Sequence, residues 1–467
     1  MKTKNIAKLI FTIFLLSVLN AHAQVSFEKG SQILGDVWGR CMASGDIDND
    51  GDIDIIIGHW DVPYPDKDTN QIWLNKGDGT FELSGQFIGT YGRSVALDDF
   101  NGDNLPDIVF TYECYFDNTK DRPNSVWLNK GNGIFEESCI LDMSEDNYIQ
   151  TIDFNKDTYT DILIDGSVWI NDGSGNFSKS ESKVSGENLI GCTLGDIDND
   201  GDYDAIAKGS SISGGAPCRV FFNDGTGNFV MDTDQAIGNS NTLKILFGDL
   251  NGDNSLDVFI ANYHLPGEDE PASDEIWFND GKGVFNKGDF STIKRHTNDA
   301  KLKDIDKDGD LDIYTAYEFN IDNPSSNITN YIWINDGKGN FTAIDIGVKS
   351  ITQVAIDDFN GDNKPDVLAL MDGGNTIWFN TTVSGIPSNK LQNIKIYPNP
   401  AQNTLQIEHT ELIHKNVSYK IIDLSGKTLQ QGKLTSNTID ISKVSKGTFI
   451  LNLEVDGGCL NQKFIIE

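Results

Sequence analysis

Short apolar runs, bounded by Gly, Asn and Asp, recur through most of the chain. Ile55-Ile56-Ile57, Ile108-Val109-Phe110, Val258-Phe259-Ile260 and Val367-Leu368-Ala369-Leu370 are continuous rather than alternating, which predicts strands covered on both faces. Each run leaves an acidic segment and is followed by an aromatic anchor: Trp73, Trp127, Trp169, Phe221, Trp277, Trp333 or Trp378. The first six anchors lead through Asn and Gly-x-Gly into Phe81, Phe135, Phe177, Phe229, Phe285 and Phe341. One unit therefore predicts four strands, with a entering the acidic segment, b leaving it, c carrying the anchor and d starting at the Phe. The Asn and the glycines are expected to supply the positive φ values of a tight c–d turn. The anchors are expected in the core, since Phe221 replaces a Trp with no other change.

The acidic segment reads D-x-[DN]-x-D-x-x-x-D and occurs seven times, its starts separated by 53, 54, 43, 53, 55 and 54 residues. The seventh unit stops at Trp378-Phe379-Asn380 without its Gly-x-Gly-x-Phe ending. A similar ending stands near the N-terminus, at Val25-Ser26-Phe27-Glu28. A repeat cut in this way predicts a ring in which the N-terminal strand completes the last unit and leaves no open sheet edge. The expected fold class is all-β: a seven-bladed β-propeller over residues 24–383, closed by an N-terminal strand. A solenoid accommodates the repeat but not the circular permutation.

Positions 1, 3, 5 and 9 of each segment carry oxygen ligands for a hard cation, and position 7 can add a carbonyl. The candidate metal ligands are Asp46, Asp48, Asp50 and Asp54; Asp99, Asn101, Asp103 and Asp107; Asp153, Asn155, Asp157 and Asp161; and Asp196, Asp198, Asp200 and Asp204. The last three loops add Asp249, Asn251, Asp253 and Asp257; Asp304, Asp306, Asp308 and Asp312; and Asp358, Asn360, Asp362 and Asp366. Ca²⁺ is the expected occupant, up to seven ions in a mainly structural role, because Mg²⁺ demands a tighter octahedron and keeps more of its water. An EF-hand is excluded, since position 12 of the first copy is Ile57 rather than Glu. Acidic hairpin turns without metal are the alternative, at a cost in carboxylate repulsion. The third copy is the weakest, with Thr158 where the others have Gly or Asn.

These loops resemble the FG-GAP/VCBS repeats of the integrin α-subunit propeller and of seven-bladed calcium-containing fungal lectins. The resemblance implies a propeller with calcium in the D-x-D-x-D-G-x-x-D loops. It says little about ligand, since related propellers also occur in polysaccharide lyases and scaffold proteins.

Charge at first bears on partners. With 71 acidic and 36 basic residues the chain carries −35, which argues against nucleic acid and anionic lipid. The loops hold 24 of these carboxylates, four in each of three copies and three in each of the other four, so the total charge describes one face more than the whole surface.

Lys2, Lys4 and Lys8, the apolar stretch Leu9 to Leu19 and Ala21-His22-Ala23 predict a signal peptide over residues 1–23. No segment is long enough for a membrane span in the mature form. After a linker at 384–391, residues 392–467 alternate as short strands with Gly turns and predict a small β-sandwich. This module resembles the type A sorting domain of the Bacteroidota type IX secretion system. That implies engagement of the secretion machinery, passage through the outer membrane, removal of the domain, and release or surface attachment. The six cysteines have no metal-ligand spacing, and export permits disulfides among them.

Turns alternate between the faces of an antiparallel blade. The acidic loops and Gly-x-Gly turns thus share one face, and the b–c and d–a connections, which vary between repeats, share the other. Arg40 and Arg93 each stand six residues before the first loop aspartate, in Trp38-Gly39-Arg40 and Tyr91-Gly92-Arg93. With Trp60, Tyr112 and Tyr115 they are the candidate ligand-binding residues at the central mouth. A glycan or a surface protein is the expected partner, and packing with charge relief is the alternative role for the arginines. No catalytic constellation stands out. The enzyme alternative is a uronate-polysaccharide lyase, with Arg40 or Arg93 neutralising the uronate and Tyr91, Tyr112 or His59 removing a proton. An adhesin or scaffold is the third reading.

Overall fold

The computed structural model describes residues 25–466 except 36–38, 60–68, 91, 113–122, 142–147, 185–188, 210–216, 239–241, 263–272, 292, 294–295, 318–328, 350, 372–373, 383–394, 409–416, 424–426, 435 and 456–457. The described chain is all-β. Val25–Thr381 forms one compact unit, and a second lies in the residues from Thr382 on.

The first unit is a ring of seven four-stranded antiparallel sheets. Blade 1 is typical, with strands β2 (Gly39–Gly45), β3 (Asp54–His59), β4 (Thr69–Asn75) and β5 (Phe81–Thr90) in spatial order. All six residues of β3 are buried, as the continuous apolar run requires. Blade 7 contributes three strands of its own, and β1 (Phe27–Leu34) supplies the fourth by pairing with Asn375–Asn380. Phe27 lies opposite Asn380 and Leu34 opposite Asn375, whose Nδ2 donates to the Leu34 carbonyl at 2.8 Å. Gln32 then crosses to blade 1, donating to the Phe81 carbonyl and accepting from its N–H. The innermost strands touch around the axis, and contact between Ile351–Asp357 and β2 closes the circle.

The anchors pack into the interfaces between blades, with Trp169, Phe221 and Trp333 buried and the others part-buried against the same clusters. The Asn that follows them does a different job from the one expected. Positive φ falls on the glycines, such as Gly77 and Gly79, and not on Asn75. The Asn side chain instead bridges two blades. Nδ2 of Asn75, Asn129, Asn171, Asn279, Asn335 and Asn380 donates to a carbonyl in the acidic loop of the preceding blade, at 2.6 to 3.2 Å. Asn335 also donates to the Leu311 carbonyl of its own loop and accepts from Gly337 N–H, all within a site 1% exposed. Asn335→Ala leaves one buried and two half-buried backbone groups without partners and is expected to cost about 1–3 kcal/mol. Denaturant unfolding at saturating Ca²⁺ measures this, and a loss below about 0.5 kcal/mol would show that the bridge is dispensable.

A second Asn position, at the start of strand c, accepts from the end of strand b: His59 N–H to Asn70, Tyr112 N–H to Asn124 and Tyr317 N–H to Asn330. Blade 5 has Asp274 there, accepting from Asn262 N–H at 2.9 Å and from the Thr297 hydroxyl. Burial pushes the Asp274 carboxyl up to about 7. The folded state therefore holds this proton more tightly than the unfolded chain, where the group titrates near 3.9. Asp274's contribution to stability falls as pH rises from about 4 to about 7, by up to about 4 kcal/mol, and is constant above that. Asp274→Asn is expected to gain on the wild type across this window. Parallel stability-versus-pH curves for the two proteins would contradict the assignment.

The second unit packs a three-stranded sheet, Lys395–Tyr397, Thr404–Glu408 and Thr438–Asp440, against a four-stranded one made by Thr428–Lys433, Val417–Asp423, Gly447–Val455 and Gly458–Ile466. Leu405, Ile421, Leu451 and Phe464 lie in its core with no exposure.

Candidate functional site

All seven acidic loops have one backbone shape. Positions 4 and 6 take positive φ in every copy, as in Asn49 (63°) and Gly51 (98°), or Gly102 (76°) and Asn104 (64°). Blade 3 meets the same demand with Lys156 (61°) and Thr158 (76°), and a β-branched residue there is strained. The position-1 carboxylate accepts the N–H of position 6 in each loop, and the position-5 carboxylate accepts that of position 7.

Position 9 behaves differently from the other three. Asp54, Asp107, Asp161, Asp204, Asp257, Asp312 and Asp366 have no solvent exposure. One oxygen of each accepts the N–H of position 2 at 2.8 to 3.2 Å. The other accepts the N–H of the Asn that follows the anchor, at 2.7 to 2.9 Å. Burial pushes these groups up, to about 6 for Asp54 and about 7 for Asp312. Position 9 thus staples the loop to strand c, leaving lone pairs on each oxygen for a further partner.

The three loops with Asp at position 3 bring carboxylates together. Oxygens of Asp46, Asp48 and Asp50, of Asp196, Asp198 and Asp204, and of Asp304, Asp306 and Asp308 lie within 4.8 Å of one another in each group. In each, one buried carboxylate oxygen lacks a hydrogen-bond partner: Asp48 Oδ1, Asp196 Oδ1 and Asp306 Oδ1. Burial, then the charges of Asp308 and Asp304, push Asp306 up to about 6. A hard cation relieves both the repulsion and the orphaned oxygens, so the residues fit a divalent ion. In the other four loops the Asn Oδ1 at position 3 accepts the N–H of position 5 at 2.9 to 3.0 Å, which turns the amide oxygen into the bowl.

On the opposite side, Arg40 and Arg93 sit at β-bulges. Gly39 pairs with His59 and Cys41 with Gly58, so Arg40 is the extra residue, and Arg93 is its equivalent between Gly92 and Ser94. A bulge re-aims the side chain it carries, and both arginines are part-buried. Leu243, Asn298 and Thr352 are the bulged residues of blades 5, 6 and 7. Tyr112 is not presented to a ligand: it is 3% exposed, with its hydroxyl 3.0 Å from Ser125 Oγ and its ring stacked on Phe110. His59 is also fully buried, which removes two of the candidate bases. Trp38, Trp60, Tyr91 and Tyr115 lie outside the described residues. Among the described cysteines, Cys41, Cys139, Cys192 and Cys218 are free thiols, and burial pushes Cys41 and Cys192 up to about 12.

The FG-GAP-like repeat family matches residues 46–110, 99–164, 249–315 and 304–369, which together span just over half of the chain. The chain belongs to the FG-GAP-like repeat family. The repeat boundaries run from one acidic loop past the next, the same phase as the ligand positions described above. Residues 395–467 match the secretion system C-terminal sorting domain, so the protein carries a type IX secretion tail and is secreted or displayed at the cell surface. Among the described residues no helix is long and apolar enough to cross a membrane.

No curated protein gives a significant sequence match. Among solved structures, the BBS1N domain crystallised with ARL6DN is similar at 9% identity and TM-score 0.50, covering 77% of this chain and 98% of that one. The extracellular domain of the putative hybrid two-component system BT3049 from B. thetaiotaomicron is similar at 12% identity and TM-score 0.43, covering 95% and 57%. PorZ, a surface component of the type IX secretion system of Porphyromonas gingivalis, is similar at 10% identity and TM-score 0.27, covering 92% and 81%.

Proposed function

We propose that the FG-GAP propeller is an exported, calcium-stabilised, non-catalytic binding module that engages a glycan or a surface protein through the face opposite the acidic loops. The observation that carries this reading is the division between the two faces. Every acidic loop repeats one hydrogen-bond scheme that serves the fold, whereas the b–c connections differ in length and sequence and the bulges beside them carry Arg only in blades 1 and 2. Residues 1–23 act as signal peptide, 24–383 as propeller, 384–391 as linker and 392–467 as the tail removed on export. Calcium fits the loops better than magnesium because the donors are carboxylate, amide and carbonyl oxygens on a flexible turn.

The test is binding of the mature propeller to a glycan panel and to outer-membrane protein, with Ca²⁺ and with EGTA, beside an Arg40→Ala/Arg93→Ala variant. Retention on either target, lost in the double variant at unchanged melting temperature, supports the reading. Release of unsaturated sugar from a uronate polymer, seen by ultraviolet absorbance, would replace it with a lyase.

A further inference from the structure

The three loops with Asp at positions 1, 3, 5 and 9 carry a further Asp at position 7: Asp52, Asp202 and Asp310. Each of these carboxylates lies against a glycine of its own c–d turn, Gly77, Gly225 or Gly337. Position 4 of the preceding blade's loop reaches the same region. Gly361 faces the Gly77 carbonyl and Gly252 the Gly337 carbonyl, and Asn199 Nδ2 donates to the Gly281 carbonyl of blade 5 at 3.1 Å. Blades 1 and 6 therefore meet a glycine from the preceding loop. Blade 4 meets Lys156, whose Nζ donates to Asp202 Oδ1 at 2.6 Å and lies beside Gly201 at position 6. Asp202 is tied in turn to a candidate ligand, since its N–H donates to Asp200 Oδ1 at 2.8 Å. Among the described residues no ion pair reaches Asp52 or Asp310.

An ammonium held at the rim of this loop acts on both of its states. While the loop is empty, the positive charge offsets the repulsion among Asp196, Asp198 and Asp204, whose oxygens lie within 4.8 Å of one another. When a divalent ion enters, the same charge repels it. Each effect lowers the affinity of the loop for the ion.

We infer that Lys156 sets the calcium affinity of the blade 4 loop, competing with the ion from the neighbouring blade, so that this loop fills after those of blades 1 and 6. The inference rests on the reading of the acidic loops as calcium sites and ranks three of them. Both side chains of the pair are part-exposed, which limits the effect to about three- to tenfold and makes it sensitive to salt. A purely structural role is the competing explanation. Asn223 Nδ2 donates to the Tyr203 carbonyl of its own blade at 3.2 Å, and the ion pair stands where the other blades have their Asn bridge.

Calorimetric Ca²⁺ titration of the metal-stripped mature protein at low ionic strength tests the inference. Asp48→Ala, Asp198→Ala and Asp306→Ala each delete one binding step and so identify the steps of blades 1, 4 and 6. The blade 4 step is expected to be the weakest of the three. Asn occupies position 4 in loops 1 and 4 with the same positive φ, so Lys156→Asn removes the charge without new backbone strain. It is expected to tighten the blade 4 step about three- to tenfold, while Lys156→Arg leaves that step at the wild-type value. In the Asp198→Ala background, Lys156→Asn is expected to change no remaining step. Raising the ionic strength is expected to narrow the gap between the steps of the wild type, a measurement that needs no variant at Lys156. A blade 4 step as tight as the other two, a step that Lys156→Asn does not move, or a gain that survives Asp198→Ala would each overturn the inference. An unmoved step beside a lower melting temperature in EGTA would identify a structural clamp alone. In any of these cases calcium uptake leaves the metal reading standing and removes only the role of Lys156; a wild-type protein that takes up no calcium removes both.

Discussion

Adding EGTA to the mature protein lowers its melting temperature by about 15 °C, and restoring Ca²⁺ reverses the change. The size follows from the three all-aspartate loops. A site held at a hundred times its dissociation constant stabilises the folded state by about 2.7 kcal/mol, so three such sites contribute about 8 kcal/mol. In a domain of this size each kcal/mol moves the midpoint by about 2 °C. The sites at Asp46, Asp196 and Asp304 dominate because, among the described residues, only they combine clustered carboxylates with a buried oxygen that has no partner. The position-9 aspartates link metal to fold, since each already ties its loop to strand c through two backbone N–H groups, as Asp312 does to Ile305 and Asn335. Scanning fluorimetry with EGTA, Ca²⁺ and Mg²⁺ gives the answer. A midpoint unmoved by EGTA would mean that the carboxylates are tolerated without an ion.

Removal of β1 is the second large effect. A mature chain beginning at Gly35 lacks the outer strand of blade 7, exposing the edge of Asn375–Asn380 and the cores that Val25 and Leu34 fill. It also breaks the Gln32 link to Phe81, one of the polar ties between blades 7 and 1. We expect this protein to aggregate, because an unpaired edge strand templates association. The point variant Leu34→Ala removes a side chain with no exposure and is expected to cost about 2–5 kcal/mol without opening the ring. Size-exclusion chromatography and denaturant unfolding report on the two. A monomeric truncated chain with wild-type stability would show that the ring does not depend on its N-terminal strand.

The ring was legible in the sequence because its physical requirements repeat. Every blade has a buried strand after the loop and a bulky anchor, six of the seven add a tight turn, and the cut repeat at Val25 shows in the absence of an ending after Asn380. The bridging role of Asn335 and its equivalents was not legible. An Asn before Gly satisfies the local rule for a turn, and a bond to a carbonyl some 85 residues away leaves no local signature. Its recurrence in all seven units, including the one that lacks the turn, was the available signal. Tyr112 misled for a related reason, since an aromatic at the end of strand b is equally suited to a mouth or to a core, and the Ser125 hydroxyl decides for the core.

How many calcium ions the folded protein holds, and where, decides whether the acidic loops are metal sites. Equilibrium dialysis of the metal-stripped mature chain against Ca²⁺, read by elemental analysis, counts them for the wild type and for Asp48→Ala, Asp198→Ala and Asp306→Ala. At least three tightly bound ions per wild-type chain are expected, up to the seven loops available, with each substitution removing one. A wild-type chain that retains no calcium, or three variants that retain as much as the wild type, would contradict the claim that the acidic loops are metal sites built into the fold.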